Sequence, residues 1–248
     1  MINTIQGIVD AAKGGASGVI AVAAAHDEPV IEAVVAARRE GIATPILVGH
    51  ADEIRRMLRE QHEDPDAYQI VPADSDTDCA AQAVSLCAQG KANFLMKGIL
   101  GTADLMRAVF NKEQGLRTSH LTTHCMFYEI PALGKMLILT DGGVNTFPDL
   151  EKKAEILENA AAVLQALGYT SINAACICGA EQVNPKVQST VDADALSKMT
   201  DRWAKYNMQV CGPVALDLAV SKEACKHKHF TAPGAGDTDI LLVPNYEV

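Results

Sequence analysis

Gly18-Val19-Ile20-Ala21-Val22-Ala23-Ala24-Ala25 is an unbroken apolar run bounded by Ser17 and by His26-Asp27. A strand that is apolar on both faces must be covered on both, which is the mark of a parallel sheet between helical layers. The residues that follow agree. Glu28 to Glu40 reads as a helix, with Asp27 placed to cap it, Pro29 in its first turn and Gly41 just past its end. Pro45 to Val48 is a second apolar strand. Working outward, Thr4 to Ala12 reads as a helix broken at Gly14-Gly15. Downstream come helix Asp52 to Gln61, strand Tyr68 to Val71, helix Thr77 to Gln89, strand Ala92 to Met96 and helix Ala103 to Asn111. Strand–helix alternation with short connectors predicts a right-handed, mostly parallel α/β sheet.

Past Gly115 the rhythm changes. His120 to Glu129 and Lys135 to Leu139 are apolar runs separated by Ile130-Pro131-Ala132-Leu133-Gly134, which predicts a β-hairpin. A domain boundary is expected here, giving a first domain over 1–118 and a second over 119–248 with a short antiparallel excursion. Alternation then resumes with helix Asp149 to Leu167, strand Ala174 to Cys178, helix Asp192 to Lys205, helix Val214 to Ala224 and strand Ile240 to Val243. Alternating folds usually follow a strand such as the last with a covering helix. A further C-terminal segment is therefore expected, and the first domain is taken to be completed by a segment beyond residue 248.

Composition narrows the function classes. The chain has 248 residues, with 48% hydrophobic and 21% charged, as in ordinary globular enzymes. A formal net charge of −10 opposes general affinity for nucleic acid or an anionic membrane, so an anionic ligand must be held by local donors. No basic segment followed by an apolar run opens the chain, and no apolar window approaches the roughly 20 residues of a spanning helix. Seven cysteines without a Cys-x-x-Cys pair suit reduced thiols in a cytoplasm.

In open parallel sheets ligands bind beyond the carboxyl ends of strands. There Lys97-Gly98-Ile99-Leu100-Gly101-Thr102 joins glycines, a residue able to cap the next helix, and a cation; Arg107 lies on that helix with a fork of donors. Such a turn suits an anion. Asp141-Gly142-Gly143-Val144-Asn145 follows another apolar strand. Asp141 is either a buried acceptor for neighbouring amides or, with Asn145, a group facing substrate. Both turns are expected to line one cleft for phosphate-bearing small molecules, and Gly179-Ala180-Glu181 ends a third strand. There is no Walker loop and no Gly-x-Gly-x-x-Gly. His120 and His124, four apart in strand-like sequence, would stand about 13 Å apart. Cys225-Lys226-His227-Lys228-His229 carries lysines that repel a cation, and Cys176 and Cys178 read as core residues, so no metal site is expected.

Taken together the motifs resemble the phosphate acetyl/butyryltransferase family, closest to its phosphate butyryltransferase branch. The blocks that carry the resemblance are Ala23 to Glu28, Pro45 to Gly49, Met96-Lys97-Gly98 with Thr102, Lys112 to Arg117, Leu139 to Asn145, Glu181-x-Val183-Asn184, Gln188-Ser189-Thr190, Gly212 to Asp217 and Asp239 to Pro244. The resemblance implies a two-domain α/β/α sandwich of isocitrate/isopropylmalate-dehydrogenase-like architecture, forming a homodimer or larger homo-oligomer. It implies reversible acyl transfer between coenzyme A and phosphate, with acyl-CoA, phosphate and acyl phosphate as small-molecule partners. Coenzyme A is then a co-substrate, with no tightly bound cofactor. Lys97, Gly98, Thr102, Arg107, Asp141, Asn145 and Glu181 become the candidate binding residues. The resemblance places the thiol-proton group in the expected segment beyond residue 248, so the catalytic residues are not assigned. Two alternatives stay open: a catalytically incomplete protein that binds coenzyme A or an acyl phosphate, and an NAD-dependent decarboxylating dehydrogenase of the same fold.

Overall fold

The computed structural model describes residues 1–248 in full. Its chain divides into two compact units, one of Val9–Ser119 and one of Met1–Ile8 with His120–Val248. In the first, strands β1 (Gly18–Ala23), β2 (Ala43–Gly49), β3 (Gln69–Pro72) and β4 (Phe94–Lys97) form a wholly parallel sheet in the order β3-β2-β1-β4. Helix α1 (Ile5–Lys13) leads into it; α2 (Glu28–Arg39), α3 (Ala51–Glu60), α4 (Asp76–Ala88) and α5 (Thr102–Val109) cover it. The pleat sends alternate residues of one strand to opposite layers. Val22 and Leu47 pack with Ile31, Val34, Ile54 and Leu58 of α2 and α3. Ala21 and Ala23 meet Cys79, Ala80 and Ala83 of α4 and Leu105 of α5. Gly41 ends α2 at φ +71, as a residue without Cβ can. Asp27 occupies the N-cap of α2, but its carboxylate makes no capping hydrogen bond.

The second unit holds β5 (Met126–Ile130), β6 (Lys135–Thr140), β7 (Ile172–Ile177), β8 (Met208–Val214) and β9 (Ile240–Leu242), in the order β5-β6-β9-β7-β8. The β5–β6 pair is an antiparallel hairpin and the other pairs are parallel. Helices α6 (Leu150–Ala166), α7 (Gln188–Ser197) and α8 (Thr200–Ala204) cover one face, where Ile156, Leu157, Leu164, Leu196 and Trp203 pack on Ile138, Ile172 and Ile240. On the other face, α9 (Leu216–Val220) and α10 (Lys222–His227) bring Leu218, Ala219 and Cys225 against Leu137, Ala175 and Leu241. The first residues join this unit through Ile2 N–H to Leu167 O at 2.8 Å and Met136 N–H to Asn3 O at 3.2 Å. Each unit is a mostly parallel sheet between helices, the α/β class that the apolar strands predict.

Several local expectations are corrected. Residues 120–125 are not strand. The backbone of His124 is taken instead by the Asp141 carboxylate and the Thr140 hydroxyl. The helix expected over 192–205 starts at Gln188 and breaks at Lys198-Met199, where short-range hydrogen bonds to Ala195 and Leu196 close α7. Strand β8 is not among the predicted elements, and it contains Gly212-Pro213. At an edge that pairs only with β7, a proline without a donor is tolerated. The helix expected over 214–224 is two short ones, divided at Ser221, whose hydroxyl accepts from Ala224 N–H and starts α10.

All seven cysteines are unbridged, and burial pushes every thiol above its ordinary value, Cys211 to about 11. Trp203 is 1% exposed and donates Nε1–H to Leu196 O at 2.8 Å, tying α8 to the end of α7. Trp203→Ala is expected to cost about 3–5 kcal/mol through the cavity it leaves. Equilibrium urea melts measure this, and a loss well below that range would show that the layer collapses around the gap.

Candidate functional site

In the Val9–Ser119 unit, Lys97 is the last residue of β4 and the turn after it folds back on β1. Gly98 N–H donates to Ala23 O at 2.8 Å and Ile99 N–H to Ala24 O at 3.0 Å. A Cβ at Gly98 would stand 2.1 Å from Ala24 O, so only glycine lets the two segments touch. The Gly98 amide is thus committed to the strand, and the glycine serves the turn's seat on β1. The Lys97 ammonium curls over the turn and donates to Leu100 O at 2.9 Å and Gly98 O at 3.3 Å. It uses two of three N–H donors, and its residue is exposed.

Helix α5 begins directly after. Its N-cap is Gly101, without a side-chain hydrogen bond. Thr102 is therefore its first helical residue and not its cap, because φ −63 and ψ 139 place the extended cap position one residue earlier. No side chain caps the amides of Thr102 and Ala103 at the positive end of the helix dipole, while the Asp104 amide bonds Gly101 O at 3.1 Å and the Asp104 carboxylate lies in the same first turn. Arg107 is exposed and paired with Asp104 at 2.6 Å. A surface pair of this kind is worth about 0–1 kcal/mol, so the guanidinium can turn to an anion at little cost. Lys97, Gly98, Thr102 and Arg107 thus lie on one turn and helix at the carboxyl edge of the sheet. Two imidazoles share that edge: His26, after β1, stacks on His50, after β2, with ring centroids 4.0 Å apart. Burial lowers the His26 pKa, and the His50 ring adds to this.

The Asp141 turn belongs to the other unit and follows β6. Asp141 is 2% exposed. Its Oδ1 accepts from Gly143 N–H at 3.0 Å and Val144 N–H at 2.9 Å; Oδ2 accepts from His124 N–H at 3.1 Å and Asn145 Nδ2 at 2.6 Å. Burial pushes the carboxyl up, but these donors together outweigh it and hold it below the ordinary carboxylate value. The geometry is that of the buried-acceptor alternative. Asn145 Nδ2 also donates to Thr122 O at 3.0 Å, so both residues pin the 122–124 loop to the end of β6. Glu181 stands apart on an exposed loop after β7, with its Oε1 3.5 Å from Lys228 Nζ.

One arrangement escaped the sequence reading. On α6, Lys153 lies buried with Nζ 2.6 Å from Asp192 Oδ2 of α7, and Gln188 Nε2 donates to Asp192 Oδ1 at 2.7 Å. The signal was a lysine on the apolar stripe of Leu150, Ala154 and Leu157, where a surface cation does not belong.

Asp141→Asn is expected to cost about 1–3 kcal/mol at neutral pH, since an amide cannot accept from all four donors. The folded pKa of Asp141 is depressed, so its contribution is full above the unfolded value of about 4 and is lost as pH falls through the folded value. The gap in stability between wild type and variant should narrow below pH ~4 in urea melts. A gap unchanged with pH would overturn this.

Comparison with known proteins gives these turns a context. The family model for phosphate acetyl/butaryl transferase matches residues 3–81 and 76–248. The phosphate butyryltransferase of Clostridium acetobutylicum is 42% identical over 247 residues, covering 100% of this chain and 82% of that protein. The phosphate acetyltransferase of Thermotoga maritima is 38% identical over 245 residues, covering 98% and 82%. Among solved structures, a branched-chain phosphotransacylase from Enterococcus faecalis superposes with a TM-score of 0.78 at 31% identity, over 92% of this chain and 80% of that one. The chain belongs to the phosphate acetyl/butaryl transferase family.

Proposed function

We propose that the chain catalyses reversible transfer of a short-chain acyl group between coenzyme A and phosphate. The observation that carries this reading is the Lys97 turn, an ammonium beside open helix amides at the carboxyl edge of a parallel sheet, in a member of this family. In one direction the thiol sulfur attacks the acyl-phosphate carbonyl, a tetrahedral oxyanion forms, and the C–O bond to phosphate breaks. In the other, a phosphate oxygen attacks the thioester and the C–S bond breaks. Both directions need a held phosphate and a stabilised oxyanion, which amides and cations supply. Lys97, Arg107 and the α5 amides of Thr102 and Ala103 are the phosphate donors in this reading, and Gly98 seats the turn that presents them.

Asp141 and Asn145 together fix the shape of the second turn, with Glu181 a more peripheral polar contact. Acyl groups of the butyryl or branched-chain range are the finer part of the proposal, supported by the butyryltransferase and branched-chain relatives. Coenzyme A enters as co-substrate, with no tightly bound cofactor. A cytoplasmic location belongs to the same reading, supported by the seven free thiols, and a homo-oligomer belongs to it on the family resemblance alone.

Thiol release from butyryl-CoA is expected to depend on added phosphate, and release at the same rate without phosphate would defeat the assignment. Lys97→Ala and Arg107→Ala are each expected to weaken phosphate use by about 1.5–3 kcal/mol, the scale of one charge-assisted hydrogen bond. Steady-state kinetics with varied phosphate measures it, and an unchanged KM removes that residue from the site.

A further inference from the structure

The turn between β1 and α2 holds two neighbours at once in the Val9–Ser119 unit. On one side, Ala23 O and Ala24 O accept the Gly98 and Ile99 amides that seat the Lys97 turn, at 2.8 and 3.0 Å. On the other, Ala25 N–H donates to Val48 O at 2.9 Å, and His26 Nδ1 accepts from His50 N–H at 3.4 Å. Between them Ala24 stands at φ +55, a left-handed conformation that a residue with a Cβ adopts only where its surroundings impose it. Whatever holds His26 therefore bears on where the Lys97 turn sits.

The His26 ring is closely placed. It stacks on His50 with centroids 4.0 Å apart and planes 13° from parallel, and a Cβ on Gly49 would stand 2.5 Å from its Nδ1. An imidazole nitrogen that accepts from an amide carries no proton, so the neutral ring keeps its N–H on Nε2. His50 Nδ1 lies 3.2 Å from Glu53 Oε1, and an ionised carboxylate can only accept, so the proton of that ring is on Nδ1. Both tautomers are set by groups of the turn between β2 and α3 and the helix it opens.

A proton on His26 undoes this arrangement. Nδ1–H would face His50 N–H, donor against donor. Burial resists the charge first and the His50 ring second, while Glu53 on α3, Asp76 at the start of α4 and Asp27 before α2 favour it; burial prevails and lowers the pKa. The proton thus arrives below the ordinary histidine value of about 6.5. Three carboxylates then answer the charge locally, so its effect on the turn is the lost hydrogen bond.

We propose that His26 is a positioning residue for the Lys97 turn: its neutral, stacked ring latches the β1–α2 and β2–α3 turns together, and a proton on Nδ1 releases the seat of the phosphate donors. The inference rests on the reading that the Lys97 turn holds phosphate.

The test uses the whole chain between about pH 5 and 8, the range in which histidine changes charge. His26→Asn keeps an acceptor near the place of Nδ1 and cannot titrate; His26→Ala removes the acceptor at every pH. Circular-dichroism melts establish folding, and His50→Leu, which keeps the amide and removes the second ring, carries the test if neither His26 variant folds. Phosphate's own ionisation cancels in the ratio of wild-type KM for phosphate to that of His26→Asn. This ratio is expected near one at about pH 8 and at about threefold or more at about pH 5, the scale of one hydrogen bond. The ratio of His26→Ala to His26→Asn should hold about that factor throughout. His50→Leu should move the midpoint upward, because one group that resists the charge is gone. Calorimetric titration with sulfate, whose charge does not change over this range, reads the same loss without turnover.

A flat wild-type ratio while the enzyme turns over would overturn the latch and leave the activity standing. Tighter wild-type binding at low pH would also overturn it, by making His26 a direct donor to the anion. Sulfate binding that weakens at low pH in wild type and not in His26→Asn, without any acyl transfer, would support the latch and defeat the activity.

Discussion

A carboxylate buried at the end of a strand must be paid for in donors, and Asp141 collects four: three backbone amides and the Asn145 side chain. Each donor belongs to a segment that would otherwise be free. His124 brings the approach to the β5–β6 hairpin, Gly143 and Val144 bring the turn itself, and Asn145 ties in Thr122. Thr140, the residue before, adds its hydroxyl to His124 O at 2.6 Å. One negative charge therefore orders two loops at the carboxyl edge of its sheet. Because Asp141 makes its bonds inward, its contribution to a ligand is the fixed shape of the turn.

The Lys97 turn solves a related problem by other means. Its closeness to β1 comes from the missing side chain of Gly98, and the cation is held by carbonyls of its own turn. The two turns thus differ in what remains available. After Asp141 the polar groups are largely satisfied; after Lys97 there remain one ammonium donor, open helix amides and an arginine in a weak surface pair. An anion gains more from the second environment than from the first.

Strands such as Gly18–Ala23 were legible because a strand buried on both faces has no polar positions to hide. Helix α2 was legible because Pro29 and Gly41 bracket it. The misreadings share a cause, which is that a local pattern cannot see its partner. Residues 120–125 look like strand, but the His124 backbone bonds to Asp141 and Thr140, and the carbonyls of Leu121 and Thr122 accept from the Asn159 and Asn145 side chains. Gly212-Pro213 lies inside β8, and is tolerated there because β8 is an edge. Lys153 looks like a surface residue until Asp192, on another helix, is seen beside it. Of the candidate site, the residue types and their strand-end placement were readable. The direction of each hydrogen bond was not, since it depends on segments distant in sequence.

The seven thiols carry a practical consequence. Nucleophilic attack by cysteine proceeds through the thiolate, and burial keeps every cysteine of this fold protonated well past neutrality. Electrophiles that would label an exposed, acidic cysteine thus find little to react with in the folded chain. A chromogenic disulfide added to a reaction mixture would meet the half-buried Cys87 and Cys125 first, and a slow rise in reactive protein sulfur beyond these would report the opening of the core that holds the other five.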